Sequence, residues 1–233
     1  MKKLLVILVS VFCFLPGCLS AKNVSPEQQF KKNYSTHKYE TFTPTSIKGV
    51  YEVYNGQQIY YYLPEGDVIF LGNIISKDGK NLTQESNAKK MESKLAKLSL
   101  DKALKIGNGK KKVVKFTDPN CPYCRRAFEF FDKRKDDVTL YVFFLPLSQD
   151  SANKIQHILC AEDKAKAYED VLGGKLDGNA QLKLCKDKTA EELIKAHGEA
   201  SAQIGVRATP LFYIKGQVVP GFDQPAIEKL LTE

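Results

Sequence analysis

The sequence is short of apolar length, histidine and clustered charge, and each shortage removes a class of protein. The apolar run from Leu4 to Leu15 falls well below the ~20 residues of a spanning helix, and Lys2 and Lys3 precede it. That is the layout of a secretory signal over residues 1–21. Cleavage after Ala21 releases a soluble protein. Alternatively, "LPGC" reads as a lipobox and puts a lipid on Cys18, giving an anchored form; an uncleaved anchor is the third reading. The three histidines, His37, His157 and His197, form no ligand spacing with the cysteines. The basic residues are spread out, with "GKKKVVK" their one cluster. No aromatic or arginine partners accompany it, so a nucleic-acid footprint is not expected. Without Lys2 and Lys3 the chain has 33 Lys+Arg against 27 Asp+Glu, and such a balance favours acidic clients or anionic membrane only weakly.

What is present is a globular composition, 43% hydrophobic and 27% charged over 233 residues, enough for one moderate domain and a smaller one. Of six cysteines, Cys13 and Cys18 lie in the leader; Cys121, Cys124, Cys160 and Cys185 remain, an even number in an exported chain, where disulfides persist.

Residues 22–82 read as a small N-terminal unit. Ser25, Pro26 and Gln28 supply a cap, a first-turn proline and a capping box for a helix to about Asn33. From Ile47, alternation rich in Val, Ile and Tyr, with turns at Asn55-Gly56 and Glu65-Gly66, predicts a meander of three strands. So small a unit buries little surface alone and is expected to associate. Met91, Leu95 and Leu98 keep helical spacing in a linker helix and turn over 83–108. Residues 109–233 then read strand, helix, strand, a helical insertion over about 150–204, a hairpin and a closing helix. That order is thioredoxin-like.

In "FTDPNCPYCRRAF" Cys121 falls where strand gives way to helix, with Pro122 in the first turn. Unpaired N–H groups and the positive end of the helix dipole favour a thiolate there, the reactive form of cysteine. Cys124, one turn further in, is placed to resolve a mixed disulfide on Cys121. A zinc site would need a second short knuckle, and Cys160 and Cys185 have 24 residues between them. Those two pair best with each other. As a staple their loop is worth about 3 kcal/mol in the chain-entropy model; a second redox centre is the alternative. Thr209-Pro210 precedes a strand, where proline can be cis. Beside the Cys-X-X-Cys, the Thr209 backbone is expected to pair with an extended client. Lys115 reads as a strand-edge lysine whose head reaches water; the competing reading puts its charge beneath the cysteines.

These residues resemble the DsbC/DsbG family of exported bacterial disulfide isomerases. "IKGVYEVYNGQQIYYYLPEGDVIFLGNI" resembles its small cystatin-like N-terminal dimerisation domain and "FTDPNCPYC" its active site. "CAEDKAKAYEDVLGGK" with Cys185 resembles its second disulfide region, and "GVRATPLFYIKGQVVPGF" its cis-proline hairpin. The resemblance implies a V-shaped periplasmic homodimer that needs no cofactor. It implies clients that are misfolded or misoxidised exported proteins, held against Pro122, Tyr123, Thr209 and Pro210, and a DsbD-like membrane thiol reductase that keeps Cys121 and Cys124 reduced. The Pro-Tyr dipeptide is more like the DsbG branch, associated with reduction of sulfenylated single cysteines and with chaperone activity; the short N-terminal region is more like DsbC. A net dithiol oxidase is a further alternative.

Overall fold

The structure, a computed structural model, describes residues 24–178 and 181–233; the expected signal, cleavage point and Cys18 lipobox lie outside them. α1 (Pro26–Asn33) starts at the predicted cap, with both hydrogen bonds of the Ser25–Gln28 capping box formed. Four strands follow, not three: β1 (Thr41–Pro44), β2 (Tyr51–Tyr54), β3 (Ile59–Leu63) and β4 (Val68–Phe70), an antiparallel meander in that order. The first of them, "TFTP", carries a single apolar residue and ends in proline, so no alternation announces it. Tyr60, Tyr61 and Tyr62 of β3 pack the two faces of this sheet. Strand alternation sends Tyr60 and Tyr62 to the face where Phe30 of α1 is wholly buried, and Tyr61 to the other.

That second face is covered by α2 (Leu82–Leu95). The Tyr61 hydroxyl lies 2.5 Å from Thr83 Oγ1, and Lys90 and Lys94 place Nζ 5.0 and 5.2 Å from the Tyr54 ring centroid. The far end of α2 packs into the rest of the chain. Leu95 is buried with Phe116, Phe143, Ile204 and Leu211, and Glu92 Oε1 accepts from the Val218 N–H at 3.3 Å.

The larger sheet has the order β5-β7-β6-β8-β9. Its strands are β5 (Leu104–Ile106), β6 (Lys111–Thr117), β7 (Val138–Phe144), β8 (Leu211–Ile214) and β9 (Gln217–Pro220). β6 and β7 are parallel; the other neighbours are antiparallel. α3 (Pro122–Asp132) makes the β6–β7 crossover, and α7 (Gln224–Thr232) closes the chain. β5, three residues long, was expected from the sequence to be part of the linker, because so short a strand shows no period. The insertion is α4 (Gln149–Cys160), α5 (Lys164–Leu172) and α6 (Lys188–Ile204); residues 173–178 and 181–187 are not helical. One face of the sheet packs on α3, α4, α5, α7 and the start of α6, the other on α2 and the end of α6.

The turn into β6 is close-packed. A Cβ on Gly109 would overlap the backbone of Asp137 and Val138. Gly109→Ala is therefore expected to lower unfolding free energy by about 2 kcal/mol or more, read from urea denaturation; an unchanged midpoint would show that the turn yields freely.

Candidate active site

β6 is a central strand, and its last residues aim the chain at the site. Asp118, 1% exposed, ends the run. Its Oδ1 accepts from the N–H groups of Asn120 (2.7 Å) and Cys121 (3.0 Å), and its Oδ2 from that of Leu147 (2.8 Å). One carboxylate thus fixes the loop between β6 and α3 and ties it to the loop after β7. Sequence reasoning missed this residue, although Asp before Pro-Asn after an apolar strand is a turn signal.

Cys121 is the N-cap of α3, in extended conformation, with no side-chain cap hydrogen bond, and Pro122 occupies the first turn. Its sulfur is therefore available at the positive end of the helix. Cys121 is partly exposed and Cys124 fully buried; both are free thiols. The Asp118 N–H donates to Cys124 Sγ at 3.5 Å. Burial pushes the Cys124 thiol up. The Asp118 N–H bonded to the sulfur opposes that push, as do the Thr117 and Thr209 hydroxyls nearby and the Lys115 charge.

The Thr209–Pro210 peptide is cis, and Cys121 Sγ donates to the Thr209 carbonyl at 3.4 Å, so residues 88 apart in sequence meet here. Pro210 is buried, and its carbonyl accepts from Gly221 N–H at 2.8 Å. Tyr123 is 56% exposed beside the pair, with the Arg126 guanidinium 5.8 Å from its ring centroid.

Cys160 and Cys185 form a disulfide, their Cα atoms 5.7 Å apart, joining the end of α4 to the segment before α6. The insertion is also tied to the site. Asp177 takes a bidentate ion pair from Arg125 of α3 and a 2.7 Å contact from Lys154 Nζ, which also donates to Asn120 Oδ1 at 2.7 Å.

Lys115 overturns the expectation of a solvated head. It is 0% exposed, in β6 between Val142 of β7 and Phe212 of β8, both wholly buried. Its Nζ donates to the Tyr168 hydroxyl of α5 at 3.1 Å. Burial pushes its ammonium down to about 8, while negative charge on Cys124 and Cys121 would hold it up. The cost of burying a charge favours an edge position, but β6 lies between β7 and β8. The histidines are structural or peripheral; His197 is buried, its Nδ1 accepting from the Phe144 N–H at 3.2 Å.

A free Cys-X-X-Cys at a helix N-terminus, faced by a cis-proline loop on a β6–α3–β7 scaffold, has the groups that thiol–disulfide exchange requires. Residues 98–233 match the thioredoxin-like domain and residues 19–84 the disulfide bond isomerase protein N-terminal domain. The chain belongs to the DsbC/DsbG family of thiol:disulfide interchange proteins. A probable DsbC from Bordetella avium is 32% identical over 193 residues, covering 81% of this chain and 66% of that protein. DsbC of Escherichia coli K12 is 26% identical over 196 residues (81% and 78%), and DsbG of Pseudomonas aeruginosa 26% over 188 (75% and 73%). A crystal structure of a disulfide interchange protein from Neisseria gonorrhoeae is 35% identical, with a TM-score of 0.47 over 58% of this chain and 96% of that one. Family membership makes the chain a thiol–disulfide oxidoreductase with a thioredoxin-like fold. Among the described residues no helix is long and apolar enough to cross a membrane.

Proposed function

We propose that the chain is a disulfide isomerase and reductase of the bacterial periplasm. The observation that carries this reading is the asymmetry of the pair: a reachable Cys121 against Thr209, and a sealed Cys124 behind it. The Cys121 thiolate attacks a wrong client disulfide and forms a mixed disulfide. A second client thiol completes the rearrangement, or Cys124 displaces the client and leaves an oxidised pair. An isomerase therefore needs its pair reduced, which a DsbD-like membrane reductase would supply. Thr209 positions an extended client, Pro210 holds that loop, and Tyr123 with Pro122 offers the client a surface beside the sulfur. Cys160–Cys185 staples the insertion.

A homodimer fits the same reading. Among the described residues β4 ends its sheet with an unpaired edge, and Val68, Phe70, Leu71 and Ile75 on or just after it are all exposed. Sedimentation of the purified chain is expected at twice the chain mass; a monomer at micromolar concentration would remove this part of the proposal.

The experiment is recovery of activity from a disulfide-scrambled test enzyme. The reduced chain is expected to restore activity, and the Cys121→Ala/Cys124→Ala chain to restore none. Recovery that survives the double replacement would mean the cysteines are secondary and the chain acts by holding unfolded clients.

A further inference from the structure

The mechanism above leaves one buried charge unused. Strand alternation puts Lys115 on the same face of the sheet as Val113, the face covered by α3 and α5. Cys124 is the first buried residue of α3. In the sheet, Val142 of β7 and Phe212 of β8 lie in register on either side of Lys115. The titratable groups that face it are Cys121 and Cys124 of α3 and Tyr168 of α5; Asp132, at the end of α3, bears on Tyr168. Among the described residues Lys115 makes no ion pair, and the Tyr168 hydroxyl is its one hydrogen-bond partner. Two further groups near Cys124 are poised and unsatisfied. Thr117 Oγ1 and Thr209 Oγ1 are buried without a hydrogen-bond partner, and both bear on the Cys124 sulfur. An amine and two spare hydroxyls around one buried thiol make an environment for a transient thiolate, since a buried polar group without such a purpose only costs stability.

We propose that Lys115 is the internal base for Cys124. This rests on the thiol-exchange reading and names the residue that makes its resolving step run. With client joined to Cys121, the Cys124 thiol gives its proton to the neutral Lys115 amine. The Cys124 thiolate attacks Cys121 Sγ, the Cys121–Cys124 bond forms and the Cys121–client bond breaks. The client sulfur leaves with the electron pair, and the proton stays on Lys115 until solvent takes it. Once Lys115 has released its proton to solvent, the pair is net neutral before and after transfer, as amine with thiol or ammonium with thiolate, so the transfer itself creates no uncompensated buried charge. Burial pushes the Lys115 ammonium down to about 8 and the Cys124 thiol up, both toward the uncharged partners from which transfer starts.

The test is a stopped-flow reaction of the reduced chain with an aromatic disulfide whose leaving thiolate is coloured. The first thiolate released reports attack by Cys121 and the second reports resolution by Cys124. Lys115→Met, which fills the space without a base, is expected to slow the second release at pH 7 by about tenfold to a hundredfold, to move its pH midpoint upward, and to leave a first release. Tyr168→Phe keeps the amine and is expected to stay within about threefold of the parent. A second release in folded Lys115→Met with the parent's rate and midpoint would overturn the proposal. So would a parent midpoint above the ordinary thiol value of about 8.5, a result that needs no variant. Absence of the first release from the parent would instead defeat the exchange reading itself.

Discussion

Reduced Cys124→Ala, mixed with a disulfide-scrambled client, accumulates a covalent complex that runs as one band without reductant and separates with it. The reason is geometric. Cys121 sits at the helix N-terminus, partly exposed, with its sulfur against the Thr209 carbonyl, so the client meets it first. Cys124 is fully buried and can reach the mixed disulfide only from inside. Removing Cys124 deletes the internal exit and leaves only an outside thiol to release the client. The parent should show little of this band, because the resolving thiol sits within the same turn at high effective concentration. Cys121→Ala should show none, since the remaining free thiol has no access and Cys160 and Cys185 are engaged with each other. Non-reducing electrophoresis checks all three. A band of equal strength in Cys121→Ala, or none in Cys124→Ala, would reverse or remove the assigned roles.

Much of this site was legible because its parts are local. Ser25 and Gln28 satisfy each other across one turn, so the capping box could be read from four letters. Cys-Pro-Tyr-Cys at a strand-to-helix junction likewise states its chemistry within a few residues, and Thr209-Pro210 stands directly before a strand. What could not be read was whatever depends on neighbours distant in sequence. β5 is a strand only because β7 offers it an edge. Tyr168 meets Lys115 across 53 residues, and nothing in "KAKAYEDVL" marks it. Lys115 itself was misplaced for a related reason. The penalty for burying a charge argues for exposure at an average position, whereas a reactive site can retain a group whose cost is met by what it does. Asp118 was legible and was passed over, since its turn signal stood beside a louder motif.

That cost yields the second large effect. Lys115 is fully buried, and its folded value of about 8 lies below the ordinary lysine value of 10.5. Below about pH 8 both folded and unfolded chains carry the ammonium, and the folded state bears the full penalty. Between about 8 and 10.5 the unfolded chain holds a proton that the folded chain has released, so stability rises with pH. Above that window neither state is charged there and the penalty is gone. The span corresponds to about 3 kcal/mol. Cys124 works against it, because burial pushes its thiol up and stability from that source falls above about pH 9. The parent alone would therefore show a blunted rise, and the informative quantity is the difference between Lys115→Met and the parent. Losing its partner leaves the Tyr168 hydroxyl buried and unsatisfied, at about 1–3 kcal/mol. That offset is constant across the window, because burial pushes the phenol further up than the range tested. Lys115→Met should therefore lose about 3 kcal/mol of stability relative to the parent as pH rises from 7 to 10.5, whatever the offset. Urea denaturation at pH 7, 8, 9 and 10 measures it. A flat difference would mean that Lys115 keeps its proton throughout and has no neutral amine to offer, which would count against both this prediction and its role as the base for Cys124.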